Sequence, residues 1–505
     1  MSRAVVTPLR AGMRERSWRI DAAVLGAVAI VIRLPAFVAD AHLTYDDGVF
    51  GSSALLLRDG ELPFRDIFSP QGPLFLPLVW AADLVGLRTA NAARILPVAA
   101  GVVVTVATYA AGRRITGRGG AILAAALVTT SGSVLWTTAP ITSDGPALAL
   151  ATTAVALALA YRAHPTTGRA VAVGVAMGAA LCVKVLVLPA LIPVGVLLLS
   201  RRRSRDVAIA AGAAVVVGLV ATAPWGFGRV WEQYIDYHRG SARIASHAGA
   251  ARKLVTTLVE RDSLVVAAGV LALATTALRR ARPPRSPSVP AGAPPTRLIG
   301  LLLAGWAAGV ALVLVLEPAF WRPQLAEMIP PLALLAAIRP APPAALAIAA
   351  VVVAPWYIAH VNPMLWPDRY DAAETAAVHD LRVRVPESAT VITDEPGLAW
   401  RAGRRVPGQL VDASIKRIEQ GQITTTVIVD AAATDDVCAV LVWDNRYADL
   451  PGLADRLAAE GYDEVASYGG QRVLYEKEAC AGDSIRPRAR ADRRPAAAAP
   501  ARSPG

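Results

Sequence analysis

Two adjacent carboxylates, Asp46 and Asp47, stand in the segment Thr44-Tyr45-Asp46-Asp47-Gly48, just after the first long apolar run, Ala22 to Val38. A carboxylate held beside an apolar phase keeps its proton more tightly than one in water, which suits a general base. The chemistry to weigh is deprotonation of an incoming hydroxyl by Asp46. Asp47 would then orient the acceptor or cap the helix that starts near Val49. Two carboxylates could also bind a divalent cation. Metal dependence is therefore open, with Asp46 and Asp47 as the ligands if an ion is used. The competing reading is an ordinary acidic loop.

Other polar residues fall at the ends of apolar runs. Asp144 opens one in Ile141-Thr142-Ser143-Asp144-Gly145-Pro146, where a helix cap followed by proline is the plain alternative. Lys184 lies between two runs and reads equally as a snorkelling lysine. Arg94 heads the second run, and Arg322, Gln324 and Glu327 cluster behind Phe320-Trp321, an aromatic pair with an interfacial reading of its own. Together Arg94, Lys184 and Arg322 could hold a lipid phosphate, arginine offering a two-pronged fork. Other chemistries lack their residues. There is no glycine-rich phosphate loop, no serine nucleophile elbow, and no histidine pair at zinc spacing, His238 and His247 being unsupported. An enzyme built this way would use an already activated, lipid-borne donor.

The elements that must position these residues are membrane helices. Of 505 residues, 54% are hydrophobic, and the mean hydropathy is +0.44. Runs of about 18 apolar residues read as spans. About eleven candidates lie near 20–38, 92–111, 119–138, 146–161, 170–184, 185–200, 207–224, 263–278, 298–316, 325–338 and 343–360. The net charge of +12 does not indicate nucleic acid, because the arginines sit in alternate short loops, as at Arg113, Arg114 and Arg118 or Arg201, Arg202 and Arg203. That alternation predicts a cytoplasmic N-terminus (1–19), a multi-pass membrane domain (20–361) and an outer location for the loop 39–90. The loop carries two amphipathic stretches suited to the interface, Val49 to Leu57 and Leu74 to Leu87. A proline-rich linker is expected at 281–296.

Beyond residue 361 the runs shorten. Strands are expected at Ala389 to Thr393, Thr426 to Val429, Cys438 to Trp443 and Arg472 to Tyr475, and helices at Asp371 to Arg384 and Leu453 to Glu460. The fold class is thus mainly α and polytopic, with a small extracytoplasmic α/β domain at 362–480 and a disordered tail at 481–505. Whether Cys438 and Cys480 pair is not decided by their positions.

The order of features resembles the GT-C membrane glycosyltransferases, in the branch of protein O-mannosyltransferases and aminoarabinose transferases. The resemblance runs over roughly residues 20–340. It rests on Tyr45-Asp46-Asp47-Gly48, Gln71-Gly72-Pro73-Leu74, Ala93-Arg94-Ile95-Leu96-Pro97, Asp144, Lys184 and Ile329-Pro330-Pro331-Leu332. The segments Thr393-Asp394-Glu395-Pro396-Gly397-Leu398 and Gly403-Arg404-Arg405-Val406-Pro407 resemble the outer domain of actinobacterial members. The pair is Asp-Asp where the family commonly has Asp-Glu. Gln-Gly-Pro-Leu stands where Lys-Pro-Pro-Leu is frequent, which removes a cation.

The resemblance implies a polyprenyl-phosphate sugar as donor, an extracytoplasmic acceptor, and inversion at the anomeric carbon. Asp46 would be the base. Lys184, Arg322 and Arg94 would lie at the donor phosphate, and Gln71, Asp144, Gln324 and Glu327 around the substrates. A transporter, or a non-catalytic anchor for the outer domain, is the reading from another class. A transporter should carry ionisable groups mid-span and inverted repeats, and here the polar residues stand at run ends.

Overall fold

Backbone amides in hydrocarbon must find partners within their own segment, so long apolar runs fold as helices. The protein is described here from a computed structural model over residues 6–38, 41–201, 203–244, 249–279, 296–317 and 320–480, and its long apolar runs follow that rule. Among the described residues six helices are long and apolar enough to cross a membrane: Ser17–Phe37, Ala92–Ile115, Asp144–Ala163, Ser204–Trp225, Thr296–Leu316 and Pro343–Leu365. Two bent pairs would raise this to eight: Arg118–Thr129 with Gly132–Thr138, and Ala250–Arg261 with Ser263–Leu278.

The remaining apolar runs are interrupted. Lys184 separates Thr167–Val183 from a 3-10 turn, Val185–Ala190, which contains Pro189. The run near 325–338 is a 3-10 turn, Arg322–Met328, followed by a ten-residue helix, Ile329–Ile338. These breaks leave non-helical backbone near the ends of the bundle. Such backbone is tolerated only against protein or a water-filled recess.

The loop after the first span, expected on the outer side, forms the two expected helices, Tyr45–Arg58 and Phe75–Val85. The first is capped by Thr44, whose hydroxyl accepts from Asp47 N at 3.3 Å. Asp46 and Asp47 sit in its first turn, where the helix dipole favours negative charge. The cap is therefore Thr44, and Asp47 points elsewhere.

The C-terminal unit carries a four-stranded sheet of order β1-β2-β4-β3. Its strands are β1 (Thr390–Thr393), β2 (Val437–Val442), β3 (Tyr462–Ser467) and β4 (Val473–Lys477). β1 and β2 are parallel, and the other two pairings are antiparallel. Every residue of β1 and β2 is buried, so this is the centre of the unit. The expected strand at Thr426 to Val429 is instead part of a helix, Thr425–Ala432. Thr424 caps it by accepting from Val427 N at 3.3 Å, and Ile428 and Val429 pack into the core beside the sheet, which overrides their β preference. β3 is an edge strand with exposed Asp463 and Glu464, a pattern too polar to stand out. Cys438 and Cys480 form a disulfide, with Cα atoms 5.7 Å apart, tying β2 to the chain after β4. The expected linker up to residue 295, the tail 481–505 and His247 lie outside the described residues.

The unit is docked on the first outer loop. Ser52 Oγ donates to Pro396 O at 2.8 Å, and Phe68 N to Gly408 O at 3.0 Å. A Cβ on Gly51 would lie 2.2 Å from the Trp400 ring, so only glycine admits this contact.

Candidate active site

The two adjacent carboxylates have opposite surroundings. Asp47 is 3% exposed. Its Oδ2 accepts from Arg94 Nη2 at 2.5 Å, and its Oδ1 from Ile141 N at 2.9 Å. Arg94 is fully buried and also donates to the carbonyls of Ala36 and Ala41, at 2.8 and 3.0 Å. This fork joins the end of the first span, the outer loop and the head of the second span. Arg94, expected at a lipid phosphate, is instead a buried tie, because its donors face carbonyls and Asp47. With both Asp47 oxygens occupied, the pair does not present two free carboxylates to one ion. Among the described residues no group of three His, Cys, Asp or Glu side chains is arranged to hold a metal.

Asp46 points the other way. Its surface is accessible, and no hydrogen bond or ion pair holds its carboxylate among the described residues. It opens into a recess rather than onto the outer face, because protein surrounds it densely. That loss of bulk water pushes its pKa up to about 7. Lys184 opposes the rise, while Asp412, Asp144 and Asp47 add to it.

Lys184 and Asp144 meet at the two helix breaks. The ammonium lies 2.7 Å from Asp144 Oδ1. It approaches outside hydrogen-bonding geometry, so the contact is ionic, and the ammonium keeps donors for another oxygen. Asp144, expected around the substrates with a helix cap as the plain alternative, is the first residue of its helix rather than its cap and spends its charge on Lys184. Gln71 Oε1 accepts from Ser143 Oγ at 2.7 Å, one residue away. Gly72 N donates to Val183 O at 3.1 Å, and a Cβ there would lie 2.2 Å from Cys182 O. The Gln-Gly-Pro-Leu segment thus packs against the chain just before Lys184.

Glu327 is 3% exposed, and its Oε1 has no hydrogen-bond partner among the described residues. Burial pushes its pKa up to about 8, and the charges acting on it are Asp144 and Lys184. It therefore joins this group. Gln324 does not: its Oε1 accepts from Trp321 N at 2.9 Å and caps the turn. Arg322 pairs with Glu260 at 3.0 Å, and its charge acts on Lys253 and Arg261. The expected basic trio does not converge, and Lys184 is the member that acts on Asp46.

Two residues, Asp412 and Tyr237, carry no mark in the sequence. Asp412 comes from a distant segment that only folding brings near Asp46, and its charge also acts on Tyr237. His238 has an accessible ring beside Tyr237, and burial with the charge of Lys184 lowers its pKa to about 4. A lone histidine beside Tyr237 gave no spacing signal. A cavity of about 380 Å³ lined by Leu450, Asp455, Gln471 and Tyr475 lies on the C-terminal unit, and none of Asp46, Asp144, Lys184 or Glu327 lines it.

Residues 71–227 match the family described as dolichyl-phosphate-mannose-protein mannosyltransferase. No curated protein matches in sequence. In structure the chain is similar to ArnT from Cupriavidus metallidurans bound to undecaprenyl phosphate, with TM-score 0.63, 15% identity, and coverage of 90% of this chain and 97% of that one. The apo state of that protein gives 0.61 at 16% identity, covering 94% and 100%. The archaeal oligosaccharyltransferase AglB from Archaeoglobus fulgidus, in complex with an inhibitory peptide and a dolichol-phosphate, gives 0.52 at 11% identity, covering 92% and 74%. The chain has the polytopic membrane fold of ArnT and AglB and, over residues 71–227, resembles the dolichyl-phosphate-mannose-protein mannosyltransferase family.

Proposed function

We propose that this protein is a membrane glycosyltransferase that moves a sugar from a polyprenyl-phosphate donor to an acceptor hydroxyl on the outer side of the membrane. One observation carries the reading: Asp46 is an accessible carboxylate without a partner among the described residues, in a recess where the cation acting on it is Lys184. The similar structures that hold undecaprenyl phosphate or dolichol-phosphate support a lipid-linked donor.

In this mechanism the acceptor oxygen attacks the anomeric carbon while its proton passes to Asp46. The bond from that carbon to the phosphate oxygen breaks on the opposite face, and the electron pair leaves on the polyprenyl phosphate. The anomeric centre inverts. Lys184, shared between Asp144 and the phosphate, stabilises the charge that develops on the leaving group. Glu327, largely protonated at neutral pH, is a hydrogen-bond donor to the sugar or phosphate. Asp47 and Arg94 hold the helix that aims Asp46. Binding and orientation supply the rest of the rate. The donor's lipid tail lies between spans, the N-terminus is cytoplasmic and the C-terminal unit external. Up to eleven apolar segments enter the membrane, the short ones beside the recess.

Purified protein in lipid should release polyprenyl phosphate from a polyprenyl-phosphate sugar, and Asp46→Asn should not. Turnover of a soluble nucleotide sugar with no lipid donor would overturn this function.

A further inference from the structure

The C-terminal unit contributes to the recess as well as covering it. Asp412 follows a short 3-10 turn, Gly408–Leu410, and is 6% exposed. Its Oδ1 accepts from Ser414 N at 3.0 Å and from Tyr45 Oη at 3.3 Å. Its Oδ2 has no hydrogen-bond partner among the described residues, and it is not among the buried unpartnered atoms, so it remains open to the recess. The charge of Asp412 acts on Asp46, Tyr45 and Tyr237. Tyr237 Oη lies 3.3 Å from Ser414 Oγ. One wall therefore combines an unsatisfied carboxylate oxygen with the hydroxyls of Tyr45, Ser414 and Tyr237.

The cations nearby are engaged. Lys184 is paired with Asp144. Arg446 donates to Glu395 at 3.1 Å and lies over the Tyr45 ring. Arg417 donates to the carbonyls of Gln409 and Asp412 and stacks on Phe68. An anionic acceptor would meet the carboxylates of Asp46, Asp412 and Asp144, with Lys184 as the cation acting on Asp46 among the described residues. A single side-chain hydroxyl would satisfy Asp46 and leave Asp412 facing water. A neutral polyol satisfies both.

We propose that the acceptor is a saccharide, whose attacking hydroxyl meets Asp46 and whose neighbouring hydroxyl donates to Asp412 Oδ2. This rests on the glycosyltransferase reading above. The C-terminal unit then selects the acceptor, and the membrane helices handle the donor.

The test replaces the chromosomal gene by the Asp46→Asn variant, chosen because its effect does not depend on how Asp412 variants fold. Linkage analysis by mass spectrometry then asks which glycosidic bond disappears from the cell envelope. Loss of a sugar-to-sugar bond is expected. Loss of a bond to a seryl or threonyl side chain, or to a phosphate, overturns the proposal while leaving the glycosyltransferase reading intact. No lost bond overturns both. A synthetic saccharide ending in the linkage found is then the probe. Asp412→Asn should lower its kcat/KM by about tenfold or more, since a site built for a hydroxyl loses that much when the bond is unmade. The loss should be several-fold smaller toward the probe lacking the neighbouring hydroxyl, which has no bond to Asp412 to lose. Equal losses on both probes, or no loss on either, would reject a role for Asp412 in reading the acceptor.

Discussion

The recess around Asp46 and the knot around Asp262 both place a carboxylate at a helix end, and they use it in opposite ways. Asp262 stands at the 93° bend between Ala250–Arg261 and Ser263–Leu278 and is 1% exposed. Its Oδ1 accepts from Ser131 Oγ at 2.5 Å and Ser133 N at 3.3 Å, and its Oδ2 from Ser133 Oγ at 2.5 Å. Arg261 stacks beside it on Trp136, 4.1 Å from the ring centroid. Asp46 has none of this. A carboxylate whose oxygens are all answered by fixed donors closes a joint between helices. One left open in a dense recess keeps its affinity for a substrate proton. Unmet hydrogen-bonding capacity and access from the recess separate Asp46 from Asp262.

The largest effect that would test the contrast is on turnover. Asp46→Asn should lower kcat by roughly 10²–10⁴, the usual contribution of a general base, with the protein still inserted and folded. Near wild-type turnover would remove Asp46 from the chemistry.

Asp47→Asn should fail for another reason. Removing one partner of a buried ion pair costs about 3–5 kcal/mol, so loss of folded protein from the membrane is expected. The thermal midpoint in detergent checks this. A stable, well-folded Asp47→Asn variant that is inactive would instead move Asp47 into the catalytic site.

Asp262→Leu strands the donors of Ser131 and Ser133, at about 1–3 kcal/mol each. Its thermal midpoint should fall while kcat per folded molecule holds. A drop in kcat at unchanged stability would erase the distinction between the two regions.

Lys184→Ala should raise the donor KM about tenfold or more, since a charge-assisted contact is worth roughly 1.5–3 kcal/mol. Arg322→Ala should change it less than about threefold, as Arg322 is itself exposed beside a half-buried Glu260 and surface pairs are worth about 0–1 kcal/mol. Equal effects would restore Arg322 to the donor site.

The smallest effect is on pH. A raised carboxylate pKa means Asp46 is protonated, and inactive as a base, below about 7. The kcat/KM profile should therefore rise with pH through that value. Because Lys184 lowers the Asp46 pKa, Lys184→Ala should move this limb to higher pH. A limb that stays in place would show that another group sets it.

Long apolar runs and alternating basic loops are local properties, so the sequence alone determined a mainly helical membrane protein with an α/β unit after residue 361. Asp46, Asp144, Lys184 and Glu327 were also visible there, because polar residues at the ends of apolar runs stand out against their neighbours. Which of them remain free was not visible. Asp46 and Asp47 are chemically identical neighbours, and a helix turns successive residues by about 100°, so one faces the recess and the other Arg94. Arg94, Lys184 and Arg322 read alike as cations at run ends, and their partners 47, 40 and 62 residues away separated them. Asp412 lies 367 residues from the tyrosine it bonds, with no local pattern to mark it. Only the docking of the C-terminal unit on the first outer loop brings it opposite Asp46. Hydrophobic period is written residue by residue, whereas the choice of partner for each charge depends on contacts that exist only once distant segments pack.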